Sequence, residues 1–329
     1  MVIRIICLII SFFLYSVFSV AQGDVKSIIE PNIDDDEYFS QTFTLFADLT
    51  DGAYIYGQIG VSNIGPGNNR GVCRVLIAPK NKKIIDQSII VNSEEWSYEG
   101  QRNPKFSVRD CELIQDDNNQ KLIFSGKIDQ QQIRIALHAE PKKKIPPMGR
   151  LHTRSGYYFS DILVPWAEST VEYVYSGEKK TSKGFGYADH SRSTMLPTKI
   201  AHQWVRFRGI NDNNSHLILA RQPTKKDVFT GWDWRQKNSQ PRIIRHLSIQ
   251  QKGNAQFPEI NFVSSDNDYQ IQIQELLLRY APLEEKGFLM KVISYAIGNP
   301  VTYTYRANLV SSSGEKIPGM LEVAEINGN

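Results

Sequence analysis

Residues 184–209, GFGYADHSRSTMLPTKIAHQWVRFRG, hold the densest set of chemically able side chains in the sequence. Tyr187, Asp189, His190, Arg192, His202, Trp204, Arg206 and Arg208 fall within two strands and a turn, in a 329-residue chain with only 6 His and 5 Trp. Titratable groups interleaved with aromatics make up the wall of a ligand cavity. A half-exposed hairpin with solvated Asp, His and Arg has the same composition, because charged side chains mostly face water. On an extended strand Tyr187 and Asp189 share one face, and Ala188, His190 and Arg192 share the other. Asp189 and His190 therefore form no acid–base pair without a bulge, for which Gly184 and Gly186 offer local freedom.

Two roles compete for Asp189. A carboxylic acid whose pKa is raised by burial can protonate an alkene, which makes Asp189 a candidate proton donor for hydration or isomerisation. Tyr187 would be its same-face neighbour, Trp204 a π-face for developing positive charge, and His190 the group that orients a water. Paired with Arg206 or Arg208, Asp189 would instead stay ionised and pin the hairpin. The two arginines share a face with Trp204, which suits a carboxylate or phosphate head group, or plain solvation. Trp204 and Phe207 lie on opposite faces, so one of them belongs to a core. Tyr157 and Tyr158 follow His152 in an aromatic patch that either rims a cavity or is core. Trp232 and Trp234 share one face and either seed a second unit or join it to the first. The histidines lack metal-ligand spacing, and the chain has no Gly-rich phosphate loop and no Ser nucleophile elbow, so neither metal nor cofactor is expected.

The elements that position these residues read almost entirely as strands. Period-2 alternation covers residues 133–137, 269–273 and 301–309, and β-branched or aromatic runs bounded by turn residues cover 53–61, 72–78 and 121–128. Residues 275–280 and 283–293 read equally well as short helical pieces or strands. The pattern predicts an all-β chain of antiparallel strands, as sandwich or barrel, and closed barrels remove exposed edges. The length requires two such units, with the boundary in the polar stretch Arg221-Gln222-Pro223-Thr224-Lys225-Lys226-Asp227: residues 22–220 and 221–329. The Pro-flanked lysines Lys142, Lys143 and Lys144 read as a solvated loop inside the first unit.

Residues 1–21 combine the basic Arg4, an apolar run over 5–18 and the small exit Ser19-Val20-Ala21. That is the pattern of a secretory signal peptide, too short for a span, and it predicts a periplasmic or secreted protein without a stable membrane anchor. Cys7 would leave with it, and the remaining pair, Cys73 and Cys111, suggests one disulfide if geometry permits. A net charge of +3, one unit less without Arg4, and the lack of a long basic run argue against a nucleic-acid partner.

Three places in the chain carry a family resemblance. Gln41-Thr42-Phe43 with Asp51-Gly52, Gln58 and Val61-Ser62-Asn63 looks like a first hairpin. Residues 184–190 with Pro197, Ala201, Trp204 and Phe207 look like a central motif, and Gly298-Asn299-Pro300-Val301 opens closing strands. In these the chain resembles the double-lipocalin family that joins fungal survival factor 1 proteins to bacterial carotenoid 1,2-hydratase-like and AttH-like proteins. The resemblance implies two lipocalin-like antiparallel β-barrels in tandem and a hydrophobic small-molecule ligand, a lipid or an isoprenoid. The expected function is binding or carriage in a barrel cavity; the alternative is a hydratase or isomerase with Asp189 as proton donor. Ser191 and Arg192 stand where hydratase-like members commonly have Asn and Trp, a departure that bears on the activity rather than the fold.

Overall fold

Each alternating stretch is a strand that buries its apolar side. The computed structural model describes residues 27–64, 67–100, 102–116, 118, 120–142, 149–211, 214–235, 241–250, 258–264, 268–281 and 300–326. The expected signal peptide, the stretch 283–293, Lys143, Lys144, Gly298 and Asn299 lie outside the described residues.

The first sheet comprises β1 Ser40–Leu49, β2 Tyr54–Ser62, β3 Arg70–Ala78, β4 Ile85–Val91, β5 Trp96–Glu99, β6 Lys105–Val108, β7 Cys111–Asp116, β8 Lys121–Ile128, β9 Gln131–Leu137, β10 Arg150–Thr153, β11 Gly156–Tyr175 and β12 Glu178–Ser193. Its order is β4-β3-β2-β1-β12-β11-β9-β8-β7-β6-β5, with β10 paired on β11, so the last long strand returns to lie beside the first. Phe43, Leu45, Ile59, Val75, Phe106 and Phe124 are fully buried in one core drawn from strands far apart in that order. The sheet therefore curls on itself into a nearly closed barrel. Inside it Cys73 on β3 and Cys111 on β7 form a disulfide, with Cα atoms 6.4 Å apart and both residues inaccessible.

A single helical turn, α1 Pro197–Ile200, leads to the second sheet. This comprises β13 Gln203–Asn211, β14 Asn214–Gln222, β15 Thr230–Arg235, β16 Arg242–Ile244, β17 His246–Gln250, β18 Glu259–Val263, β19 Asp268–Tyr280, β20 Val301–Ser311 and β21 Lys316–Glu325. The order β16-β15-β14-β13-β21-β20-β19-β18-β17 again sets the first strand beside the last. Phe207, Ile218, Phe262, Tyr305 and Leu309 lie in its core. The chain is thus all-β, with two nearly closed, lipocalin-like antiparallel barrels in tandem.

One expectation shifts and one open alternative closes. The passage between sheets falls between Ser193 and Gln203, not at 220/221, because β13 and β14 belong to the second sheet. The polar Arg221–Asp227 stretch reads like a linker but is a hairpin tip, closed by the Thr224 N–H donating to the Asp227 carboxylate at 2.9 Å. Residues 275–280 are strand, not helix; β19 carries register irregularities at Ile273/Glu275 and Leu276/Leu278, and these break the alternation that would have identified it.

The barrels meet over an apolar patch. Leu217, Leu277, Leu278 and Met320 of the second pack against Phe46, Tyr54, Leu76, Ile162 and Tyr187 of the first, with Trp234 at the margin. Beside it Arg306 of β20 donates to Asp48 Oδ1 at 2.8 and 2.9 Å and to the Gly52 carbonyl at 2.7 Å.

Candidate functional site

The closing strand β12 separates the neighbouring Asp189 and His190. Asp189 lies between Thr44 of β1 and Ile162 of β11, while His190 lies between Phe43 and Asp161. The bulge near this pair sits on β11, where the register shifts between Ile162 and Val164, and leaves the alternation of β12 intact. Tyr187 and Asp189 consequently point outward to the second barrel, and His190 points into the mouth of the first.

Outside, Asp189 meets β13. Arg206 and Arg208, two residues apart, share the outer face of that strand while Phe207 between them is core. Arg208 Nη2 is 3.6 Å and Arg206 Nη1 3.9 Å from Asp189 Oδ2, ionic contacts longer than hydrogen bonds. The same guanidiniums face Glu322 of β21, which is directly opposite Arg206 in register: Arg208 Nη1 is 3.5 Å from Oε2 and Arg206 Nη1 3.8 Å from Oε1. Trp204 Nε1 donates to Glu322 Oε1 at 3.1 Å, and Arg206 Nη2 donates to the Tyr158 hydroxyl at 3.1 Å. Arg208 also lies over the ring of Tyr187, 4.5 Å from its centroid, and Arg206 over Trp204 at 5.2 Å. Arg206 Nε is buried without a partner among the described residues.

Burial separates the two carboxyls. Desolvation pushes Asp189 above the usual carboxylate range, against the pull of Arg208 and Arg206. Glu322 is also pushed up by burial, but Arg208, Arg206 and the Trp204 N–H outweigh it and hold Glu322 below its ordinary value. Desolvation also raises the Tyr187 phenol, so it remains a neutral donor.

Six sequence candidates, Tyr158, Tyr187, Asp189, Trp204, Arg206 and Arg208, thus meet between the barrels. Tyr157 and His190 do not join them. Tyr157 turns the other way and donates to Asp34 Oδ2 at 2.7 Å. Sequence reasoning missed Glu322. Its signal was a lone acid between Met320 and Ala324 on one face of a strand, both almost wholly buried. Among the described residues no group of three or more His, Cys, Asp or Glu is placed to hold a metal ion.

No protein-family model matches the sequence, and no curated protein matches it. The fold, however, matches solved structures. An AttH protein of Nitrosomonas europaea superposes with a TM-score of 0.62 at 11% identity, over 90% of this chain and 94% of that one. CghA in complex with Sch210972 gives 0.61 at 10% identity, over 92% and 94%. Kievitone hydratase from Nectria haematococca gives 0.56 at 11% identity, over 93% and 94%. At such identities the likeness is one of architecture, and it places this chain among the double-barrel, lipocalin-like folds.

Proposed function

We propose that the protein is an enzyme that adds water to, or isomerises, a hydrophobic small molecule such as an isoprenoid or lipid, bound in a cleft at the junction of its barrels, with Asp189 as proton donor. The observation that carries this reading is the split between two carboxyls around one pair of arginines. Environments that drive neighbouring acids apart divide their roles: burial favours the protonated form of Asp189, and the guanidiniums favour the ionised form of Glu322, which anchors them. The neutral acid would pass its proton to one alkene carbon as the π pair forms the new C–H bond. Water would then attack the adjacent cationic carbon and return a proton to the Asp189 carboxylate; loss of a neighbouring C–H proton instead would give the isomer. Phe46, Leu277, Leu278 and Met320 supply an apolar wall. With Asp189 protonated, the two arginines and Glu322 carry one net positive charge, which suits an anionic head group.

That CghA was solved with Sch210972, and that another fold relative is a hydratase, support this reading over simple carriage in a barrel lumen. So do the densely packed side chains inside both barrels. The buried disulfide fits export to an oxidising compartment. The test is incubation with lipid extract from the native host, followed by mass spectrometry for products gaining one water or changing retention at constant mass. Asp189→Asn should lose turnover by about 100-fold or more and still retain the lipid. Retention of a lipid by both proteins with no product from either would establish a carrier.

A further inference from the structure

The inward face of the same motif forms a second chamber that the cleft does not use. A cavity of about 380 Å³ at the mouth of the first barrel is lined by Asn32, Arg150, His152, Phe159, Asp161, His190 and Arg192. His190 is part of its floor, stacked on Phe43 with ring centroids 4.5 Å apart. Gln41 fixes that imidazole. Its Oε1 accepts the Asn32 N–H at 2.7 Å, and its Nε2 donates to the Glu30 carbonyl at 3.2 Å. The amide is therefore oriented with Nε2 as donor, and its 2.9 Å contact to His190 Nε2 makes that ring nitrogen the acceptor. The ring proton sits on Nδ1, which faces Asp161 Oδ2 at 3.6 Å. Asp161 is thereby turned toward His190, and the opposite wall is cationic. Arg150 has no carboxylate within ion-pair distance among the described residues, and its guanidinium lies 5.9 Å from the centroid of Phe159. Arg192 gives one Nη2 contact, at 3.3 Å, to Asp34 and leaves Nε buried without a hydrogen-bond partner among the described residues. Flat rings complete the wall: His152 stands edge-on to Phe159 at 5.2 Å, and Tyr157 lies 4.9 Å from it.

We infer that this chamber is a second ligand site, independent of the cleft, that takes a small planar organic acid. Its carboxylate is received by Arg150 and Arg192, and its carbon skeleton lies against Phe159. A guanidinium with no carboxylate among the described residues, beside a second whose Nε is spare, matches a carboxylate, and the volume admits a molecule of one or two rings. The probe is benzoate, titrated into the full chain by calorimetry and followed by NMR with nitrogen-15-labelled histidine. Saturable binding should shift the His190 and His152 resonances. Arg150→Met should weaken that binding by about tenfold or more without changing the melting temperature, because Arg150 is exposed and has no carboxylate partner among the described residues. Asp189→Asn should leave it unchanged, so this site stands or falls apart from the cleft. Binding of inorganic phosphate but not benzoate would overturn the inference of an organic acid. No shift of either histidine at saturating benzoate, or equal affinity in Arg150→Met, would overturn the site.

Discussion

Asp189 and Glu322 share two guanidiniums, and each also meets a neutral donor, Tyr187 for Asp189 and Trp204 for Glu322. Their opposite shifts give opposite linkage. Asp189 is raised when folded, so between its unfolded and folded pKa values the native state binds the extra proton, and stability falls as pH rises through that window. Asp189→Asn removes this slope. As pH rises above the ordinary carboxylate value of 3.8, the melting temperature of the variant should therefore gain on that of the parent. A gap that moves the other way would mark Asp189 as an ordinary paired carboxylate. Glu322 is depressed, so its contribution is present above its unfolded value and is lost as pH falls through its folded one. Glu322→Gln should cost about 3–5 kcal/mol near neutral pH by taking from two buried guanidiniums the carboxylate they share, measurable by urea unfolding. At this scale strand parity alone separated Asp189 from His190 and grouped Trp204 with both arginines. Glu322, Asp161, Gln41 and Arg150 stayed hidden because they reach the sites from strands distant in sequence, and period-2 patterning carries no register between strands.

The strands have their own checks. The Cys73–Cys111 bridge ties β3 to β7 across a 38-residue separation, and constraint of the unfolded chain over such a loop is worth about 2–4 kcal/mol. The native, unreduced protein should resist alkylation, and the Cys73→Ala/Cys111→Ala variant should unfold at correspondingly lower urea. Gly184 lies where β12 crosses closest to β1. A Cβ there would sit 2.1 Å from the Asp48 carbonyl oxygen and 2.8 Å from Leu49 Cα, both backbone atoms with no freedom to yield. Gly184→Ala should destabilise by about 1–3 kcal/mol, read as a lower midpoint in urea unfolding. The alternating stretches at 133–137, 269–273 and 301–309 and the β-branched or aromatic runs at 53–61, 72–78 and 121–128 were legible because each has at least one dry face. The 20-residue β11 was not, because its register shifts between Ile162 and Ala167 interrupt the period.

On the scale of the whole chain, the apolar patch and the Arg306 contacts join the barrels into one structure. Calorimetry should show a single cooperative transition, and Arg306→Ala should lower it or split it in two. A parent protein with two resolved transitions would contradict a docked pair. The all-β class and the need for two units followed from turn spacing and length. Their division did not, because a charged hairpin tip and a true linker have the same composition. Both barrels are also sealed by their ends: β12 pairs with β1, and β21 pairs with β13. Such pairings join residues more than a hundred positions apart, contacts that form slowly because long loops must close first. Asp189 rides on one sealing strand and Glu322 on the other. During synthesis, then, Asp189 and Glu322 cannot meet until β21 has left the ribosome, and a chain interrupted before Lys316 carries the acid without its counterpart.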